Sequence, residues 1–141
     1  MGLGFHKPHD PFYAPKKYFE YYPEGSTKLA VQPEDRSPRV PLAIPNEKDF
    51  AMFTDKERRE FKRAYHACTS FTDAQVGKVF ATLDRLDLWD KTIVILIGDH
   101  GYHLGEQDWW NKVTVFERCA SAPMMVWVPG ARGMGQETSA I

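Results

Sequence analysis

Apolar residues change their rhythm twice along this chain. The first third has no period at all. Pro8, Pro11, Pro15, Pro23, Pro33, Pro38, Pro41 and Pro45 punctuate it. Proline lacks an amide donor and is excluded from helix interiors, so the segment is expected to be extended or looping chain. Phe12, Tyr13, Tyr18, Phe19, Tyr21 and Tyr22 interrupt it. These predict a loop pinned onto a larger body rather than a free linker. A loop of this length is usually functional or disordered. A helical period then begins. Thr54-Asp55-Lys56-Glu57 fits a capping box, and Phe61, Tyr65 and Cys68 follow at i, i+4 and i+7. After the polar residues 69–72 the period resumes with Val76, Val79, Phe80, Leu83 and Leu86. One long helix and two helices broken near Ser70 both fit this pattern.

The second change is to a run without alternation. Residues 91–98 are apolar and rich in β-branched side chains. Such a run predicts a strand buried on both faces, as in the parallel sheets of α/β proteins. A helix, a short turn and this strand would make half of a βαβ unit. A second strand is predicted over residues 123–128, closed by Pro129-Gly130. The chain thus divides into a Pro-rich loop region at 1–53, a helical part at 54–89, a strand–loop–strand part at 92–130 and a polar tail at 131–141. There are no internal repeats and no low-complexity tracts.

Composition narrows the function classes. The 141 residues are 43% hydrophobic and 13% aromatic, which is globular composition and excludes wholesale disorder and collagen-like repeats. A chain of this length can bury roughly two-thirds of its surface, which suits one domain. The formal net charge of -1 argues against a dedicated nucleic-acid binder, which needs a basic face to displace counterions. No apolar run approaches the ~20 residues that a membrane-spanning helix needs. The first residues lack the apolar segment of a signal peptide. Cys68 and Cys119 form no CxxC pair and do not decide a redox compartment. The most chemically loaded segment begins at His6, close to an end where chains usually fray.

Three segments could carry chemistry. Gly98-Asp99-His100-Gly101 directly follows the first predicted strand. Ligands of open α/β sheets sit outside the carboxyl ends of strands. There Asp99 would offer a hard oxygen and His100 a neutral nitrogen to a cation. Alternatively, Asp99 caps a following helix and His100 is a surface residue. The second segment is His6-Lys7-Pro8-His9-Asp10-Pro11-Phe12, a stiff cationic loop suited to an oxyanion, or else a surface turn with solvated histidines. The third is Trp109-Trp110-Asn111-Lys112, preceded by His103-Leu104-Gly105-Glu106. At least one of the tryptophans should pack. Lys112 would be either a second anion ligand or a solvated lysine.

Taken together, these blocks resemble a known family. Gly4-Phe5-His6-Lys7-Pro8-His9-Asp10-Pro11-Phe12 resembles the HKPHxPF segment of iduronate-2-sulfatase-like enzymes. Residues 65–77 resemble the helix that follows it there. Gly98-Asp99-His100-Gly101, Leu104-Gly105-Glu106 and Trp110-Asn111-Lys112 resemble the family's DHG…LGE…WxK block. Residues 122–130 resemble its next strand. The blocks keep family order over essentially the whole chain. The resemblance implies a type I sulfatase of the alkaline-phosphatase-like superfamily, an α/β domain with a mostly parallel central sheet flanked by helices. It implies hydrolysis of sulfate esters by a formylglycine beside a divalent cation, Ca2+ in most members, with Mg2+ or Zn2+ as alternatives. Asp99 and His100 match the cation ligands. His9 and Lys112 match the sulfate-contacting, catalytic pair. His6 shares the substrate loop, and Tyr102 matches a position beside the substrate pocket. The implied substrates are sulfated carbohydrates, glycosaminoglycans among them, or small sulfate esters. The implied compartment is lysosomal, periplasmic or extracellular.

The sequence also departs from the family. Its nucleophile lies in a C/S-x-P-x-R motif, which neither Cys68-Thr69-Ser70-Phe71-Thr72 nor Cys119-Ala120-Ser121-Ala122-Pro123 fits. Ser37-Pro38-Arg39 has the wrong spacing. The paired aspartates that complete the family's cation site are not found, nor are the lysine and histidine that follow its nucleophile. The chain is therefore expected to be a middle-to-late part of a catalytic domain, truncated at its tail, with the formylglycine in a missing N-terminal part. Alone it is expected to hydrolyse no sulfate ester. The competing readings are a zinc phosphodiesterase or phosphonate hydrolase of the same superfamily, and a non-catalytic fragment that only binds. Lys16, Lys17, Arg36 and Arg39 could guide a polyanionic glycan or form a solvated face.

Overall fold

A computed structural model describes residues 1–32, 43, 50–131 and 135–137. The elements run α1 (Lys16–Phe19), α2 (Asp55–Arg85), β1 (Val94–Ile97), α3 (Glu117–Ala120) and β2 (Met124–Trp127), with 3-10 turns at Trp89–Lys91 and Glu106–Asp108. Arg36, Arg39 and the Ser37-Pro38-Arg39 triplet lie outside the described residues, as does most of the tail.

Helix α2 is a single 31-residue helix, which resolves the one-or-two question. Its start is the expected capping box. The Thr54 hydroxyl accepts from the Glu57 amide, and the Glu57 carboxylate accepts from the Thr54 amide at 2.8 Å. These bonds to its ionised form hold the Glu57 carboxyl below its usual range. Thr54→Ala is expected to remove about 1 kcal/mol of stability, read as a lower urea midpoint.

The polar stretch that suggested a break is where the N-terminal segment docks. Thr72 Oγ1 donates to the Lys7 carbonyl at 2.9 Å, and Ser70 shares a 2.8 Å hydrogen bond with the Tyr22 hydroxyl. The basic residues of α2 complete the attachment. Arg59 donates to the Thr27 carbonyl, Lys62 to that of Lys28, and Arg63 to those of Tyr22 and Phe19. Prolines leave this segment short of amide donors, so its backbone makes no ladder of its own. The helix side chains supply donors to these carbonyls, of which that of Phe19 also accepts from the Tyr22 amide.

Strands β1 and β2 pair antiparallel, with Val94 opposite Trp127 and Ile97 opposite Met124. The expected strand buried on both faces and half βαβ unit are thereby corrected. On one face, Trp89 packs edge-on against both Phe80 of α2 and Trp127 of β2, leaving Val94 and Leu96 half-buried. On the other, Ile93, Ile95 and Ile97 are 61–65% exposed. Trp89 and Trp127 shield part of one face of the two-stranded sheet, so the β1 run, without alternation in sequence, still alternates in burial. The only sheet among the described residues is this antiparallel pair, so the mostly parallel central sheet is not found in them.

Candidate active site

The site region is built around aromatic rings. Phe61 of α2 packs on Phe12, Phe53, Tyr102 and Trp110 at centroid distances of 5.0–6.4 Å. Phe12, from the histidine loop, also meets Tyr65 and Tyr102 edge-on. The cluster thereby joins the three chemistry-bearing segments, which are far apart in sequence. Both Trp109 and Trp110 are buried, as expected for at least one of them.

The turn after β1 carries Asp99 and His100. Asp99 Oδ1 accepts from the His100 amide at 3.1 Å, while its side chain is 89% exposed. No helix follows directly, so the helix-cap alternative does not hold. His100 Nδ1 lies 2.7 Å from the Gly101 carbonyl, which only accepts, so this nitrogen carries the hydrogen. The lone pair of Nε2 is then left 3.7 Å from Asp99 Oδ2. One carboxylate oxygen and one imidazole nitrogen converge, which fits two ligands of a divalent cation. Among the described residues, no group of three or more His, Cys, Asp or Glu side chains is placed to hold a metal.

Two backbone constraints hold the loops against each other. Gly101 donates to the Cys119 carbonyl at 2.9 Å. Gly105 takes φ 108°, and a β-carbon there would stand 2.7 Å from the Trp110 ring. Residues 103–105 and 109–111 are zipped together by His103 N–H to Asn111 O and Gly105 N–H to Trp109 O. This hairpin ties the Lys112 loop to the cation turn. The Lys112 backbone is pinned on both sides: the Trp109 indole N–H donates to its carbonyl at 2.9 Å, and Asn111 Oδ1 accepts from its amide at 2.8 Å. Among the described residues the Lys112 ammonium has no hydrogen-bond or ion-pair partner. Val113 follows at φ 69°, a left-handed conformation that costs a β-branched residue energy.

The histidine loop sits on the other side of the ring cluster. His9 Nδ1 lies 2.7 Å from the Asp10 carbonyl and 3.0 Å from its carboxylate. The His6 ring stacks on His9 at 5.0 Å. The Lys7 ammonium donates to the His9 carbonyl at 3.0 Å and also to the Pro11 carbonyl. Tyr102 is half-buried and its hydroxyl donates to the Trp110 carbonyl at 3.3 Å. Burial, the Asp10 carboxylate, Tyr65 and Cys119 all push the Tyr102 phenol up. Burial and the Asp99 carboxylate push up that of Tyr65. Asp10 and Asp99 thus each lie close enough to one of two adjacent tyrosines to act on it.

Sequence reasoning placed Asp10, Tyr65, Gly101 and His103 in its segments but gave none of them a role of its own. Adjacency to His9 was the available signal for Asp10. His103 is fully buried. Its Nδ1 lies 3.1 Å from the Glu106 carbonyl and its Nε2 3.0 Å from the Thr114 hydroxyl, a complete set of partners for a neutral ring. Burial lowers its pKa below the ordinary value near 6.5, and Arg118 adds to this, against the opposing pull of Glu106. Burial lowers that of His66 likewise. The fold favours the neutral rings, so the unfolded chain binds more protons on the acid side. Stability should be complete above the ordinary value and should fall as pH drops below it. His103→Gln is expected to flatten that fall in urea unfolding between pH 7 and pH 5, leaving the part due to His66.

Comparison with known proteins identifies the family. The family model "Sulfatase" matches residues 1–139. The chain is 32% identical to human iduronate 2-sulfatase over 145 residues, covering 92% of this chain and 26% of that protein. It is 33% identical to the choline-sulfatase of Rhizobium meliloti (strain 1021) over 139 residues, with the same coverage. Among solved structures it is similar to the phosphonate monoester hydrolase SpPMH from Silicibacter pomeroyi, with a TM-score of 0.69 and 22% identity over 87% of this chain and 27% of that one. The last likeness is one of fold. The chain belongs to the sulfatase family. It spans about a quarter of the length of these curated relatives.

Proposed function

We propose that this chain supplies the sulfate-contacting and part of the cation-binding machinery of a sulfuric ester hydrolase. Its substrates are sulfated sugars, glycosaminoglycans among them, in the manner of iduronate 2-sulfatase, or small sulfate esters. The observation that carries this reading is the joining of the His9 loop, the Asp99–His100 turn and the Lys112 loop around Phe12, Phe61 and Tyr102.

In this reading His9 and Lys112 face the sulfuryl group. The Lys112 ammonium neutralises charge that spreads over the sulfuryl oxygens as the ester S–O bond lengthens. With Nδ1–H held against Asp10, Nε2 faces outward, and the doubly protonated ring delivers its Nε2 proton to the departing alkoxide, leaving the neutral Nδ1–H form. His6 backs the His9 ring, and Tyr102 shapes the wall beside the pocket. Asp99 and His100 hold two positions on a cation, taken as Ca2+ with Mg2+ and Zn2+ as alternatives. A bound divalent cation would supply Lewis-acid polarisation of a sulfate oxygen and a fixed template for the ester. The formylglycine is assigned to residues outside this chain, since neither Cys68 nor Cys119 has the required neighbours and both thiols are buried.

The test is hydrolysis by an enzyme that carries this segment together with a complete nucleophile motif. Aryl sulfates should be cleaved in the presence of calcium. Cleavage of phosphonate or phosphate diesters instead, with zinc as the required ion, would favour the competing phosphodiesterase reading.

A further inference from the structure

We propose that Lys7 and Asp10 are positioning residues for His9. Lys7 folds the loop around its own ammonium, and Asp10 fixes which ring nitrogen carries the hydrogen. The idea rests on the sulfate-contacting role given to His9 above.

The geometry argues against Lys7 as an anion ligand. An ammonium has three donors. Two of them are engaged by the His9 and Pro11 carbonyls, in the same loop. The ammonium also lies 5.9 Å from the centre of the Tyr13 ring. Pro8 and Pro11 remove two amide donors from this stretch; the Pro11 carbonyl still accepts from the Tyr13 amide at 2.9 Å, whereas the His9 carbonyl needs a donor from a side chain. Lys7 supplies it from within, and its own carbonyl is tied to α2 through Thr72. The His9 amide in turn donates to the His6 carbonyl at 3.0 Å, which closes the turn.

Asp10 acts on the ring. Both oxygens near His9 Nδ1, the Asp10 carbonyl at 2.7 Å and the carboxylate at 3.0 Å, are acceptors only. A neutral imidazole between such acceptors must hold its hydrogen on Nδ1, which leaves the Nε2 lone pair outward. Free imidazole side chains prefer the opposite tautomer in water. His9 and Asp10 are both largely exposed, 45% and 61%, so water competes for either contact alone. The Lys7 anchor, the His6 stack and the two Asp10 oxygens together hold the ring where one contact would not.

The test reads the tautomer of His9 directly and needs no substrate. Long-range proton–nitrogen NMR on the 15N-histidine-labelled chain, at a pH where the ring is neutral, should show Nδ1 protonated and Nε2 bare. Lys7→Met and Asp10→Ala should each lose this single pattern and move toward the Nε2-protonated form, and Lys7→Arg should restore it. Unchanged indole signals of Trp109 and Trp110 would establish that the fold is retained. Retention of the parent tautomer in either variant overturns the proposal. So does weaker binding of inorganic sulfate by Lys7→Met with the His9 signals unchanged, since that would make Lys7 an anion ligand. Failure of the sulfatase reading looks different: His9→Ala would then leave turnover intact whatever the tautomer does.

Discussion

Gly101→Ala is expected to be the most damaging single substitution for the fold of the site. A β-carbon built on Gly101 falls 1.9 Å from the Arg118 carbonyl oxygen and 2.9 Å from that of Ser121. These are backbone atoms of α3 and its C-cap, and they cannot turn aside as a flexible side chain would. The added methyl must therefore push apart the cation turn and the 118–121 segment, breaking the hydrogen bond from Gly101 to Cys119. Overpacking of this kind costs about 3 kcal/mol or more. In urea unfolding the midpoint should fall by roughly 1 M or more, since m-values for small proteins are about 1–3 kcal/mol/M. Gly77→Ala is the matching control. Gly77 lies in α2 with nothing within 4 Å of the added carbon, and the change there should stabilise by about 0.5–1 kcal/mol. Equal midpoints for Gly101→Ala and the parent would refute the close approach.

The second large effect concerns turnover. In an enzyme that carries this segment with its nucleophile, Lys112→Met should lower kcat by about 10²–10³-fold, the usual loss for one donor aimed at developing charge. His9→Ala should lower it by about 10²–10⁴-fold, the range of general acid catalysis. The two variants should differ in leaving-group dependence. A nitrophenyl sulfate departs without much help from a proton, so His9→Ala should be milder on it than on an alkyl or sugar sulfate. Lys112→Met should be severe on both, because the sulfuryl charge is common to them. Turnover within twofold of the parent for His9→Ala on a sugar sulfate would remove His9 from the mechanism. The same result for Lys112→Met would return that residue to the status of a solvated lysine.

Much of the helical part was legible because its signals are local. The capping box at Thr54 and Glu57, the apolar period from Phe61 to Leu83 and a strand inside each of the segments 91–98 and 123–128 all appear where the sequence pattern placed them. The misreading of β1 has a physical cause. Its apolar run is compatible with burial on both faces, but burial depends on what packs there, and among the described residues Val94 and Leu96 are half-buried on the face of Trp127 while Ile93, Ile95 and Ile97 are exposed. The ambiguous polar stretch at residues 69–72 shows the reverse. Local pattern left a break there open, yet Ser70 and Thr72 point their hydroxyls at Tyr22 and the Lys7 carbonyl, and the helix runs on.

The residue types needed for anion and cation chemistry were set by the sequence alone: imidazole and ammonium in a proline-stiffened loop, carboxylate and imidazole after a strand, and a lysine beside two tryptophans. Their order along the chain was enough to indicate the sulfatase family. Only the tertiary structure decided what surrounds each of them. Lys7 and Lys112 have the same side chain and the same charge, but one ammonium is spent on two carbonyls of its own loop while the other makes no such contact among the described residues. His9, His100 and His103 are likewise one residue type in three settings. Asp10 holds the hydrogen of the first, the Gly101 carbonyl leaves a lone pair on the second, and burial with two partners keeps the third neutral. Most of these partners are near neighbours in the chain, but the loop conformations that bring them together are held by distant segments, as where Thr72 of α2 donates to the Lys7 carbonyl, and no local pattern encodes that.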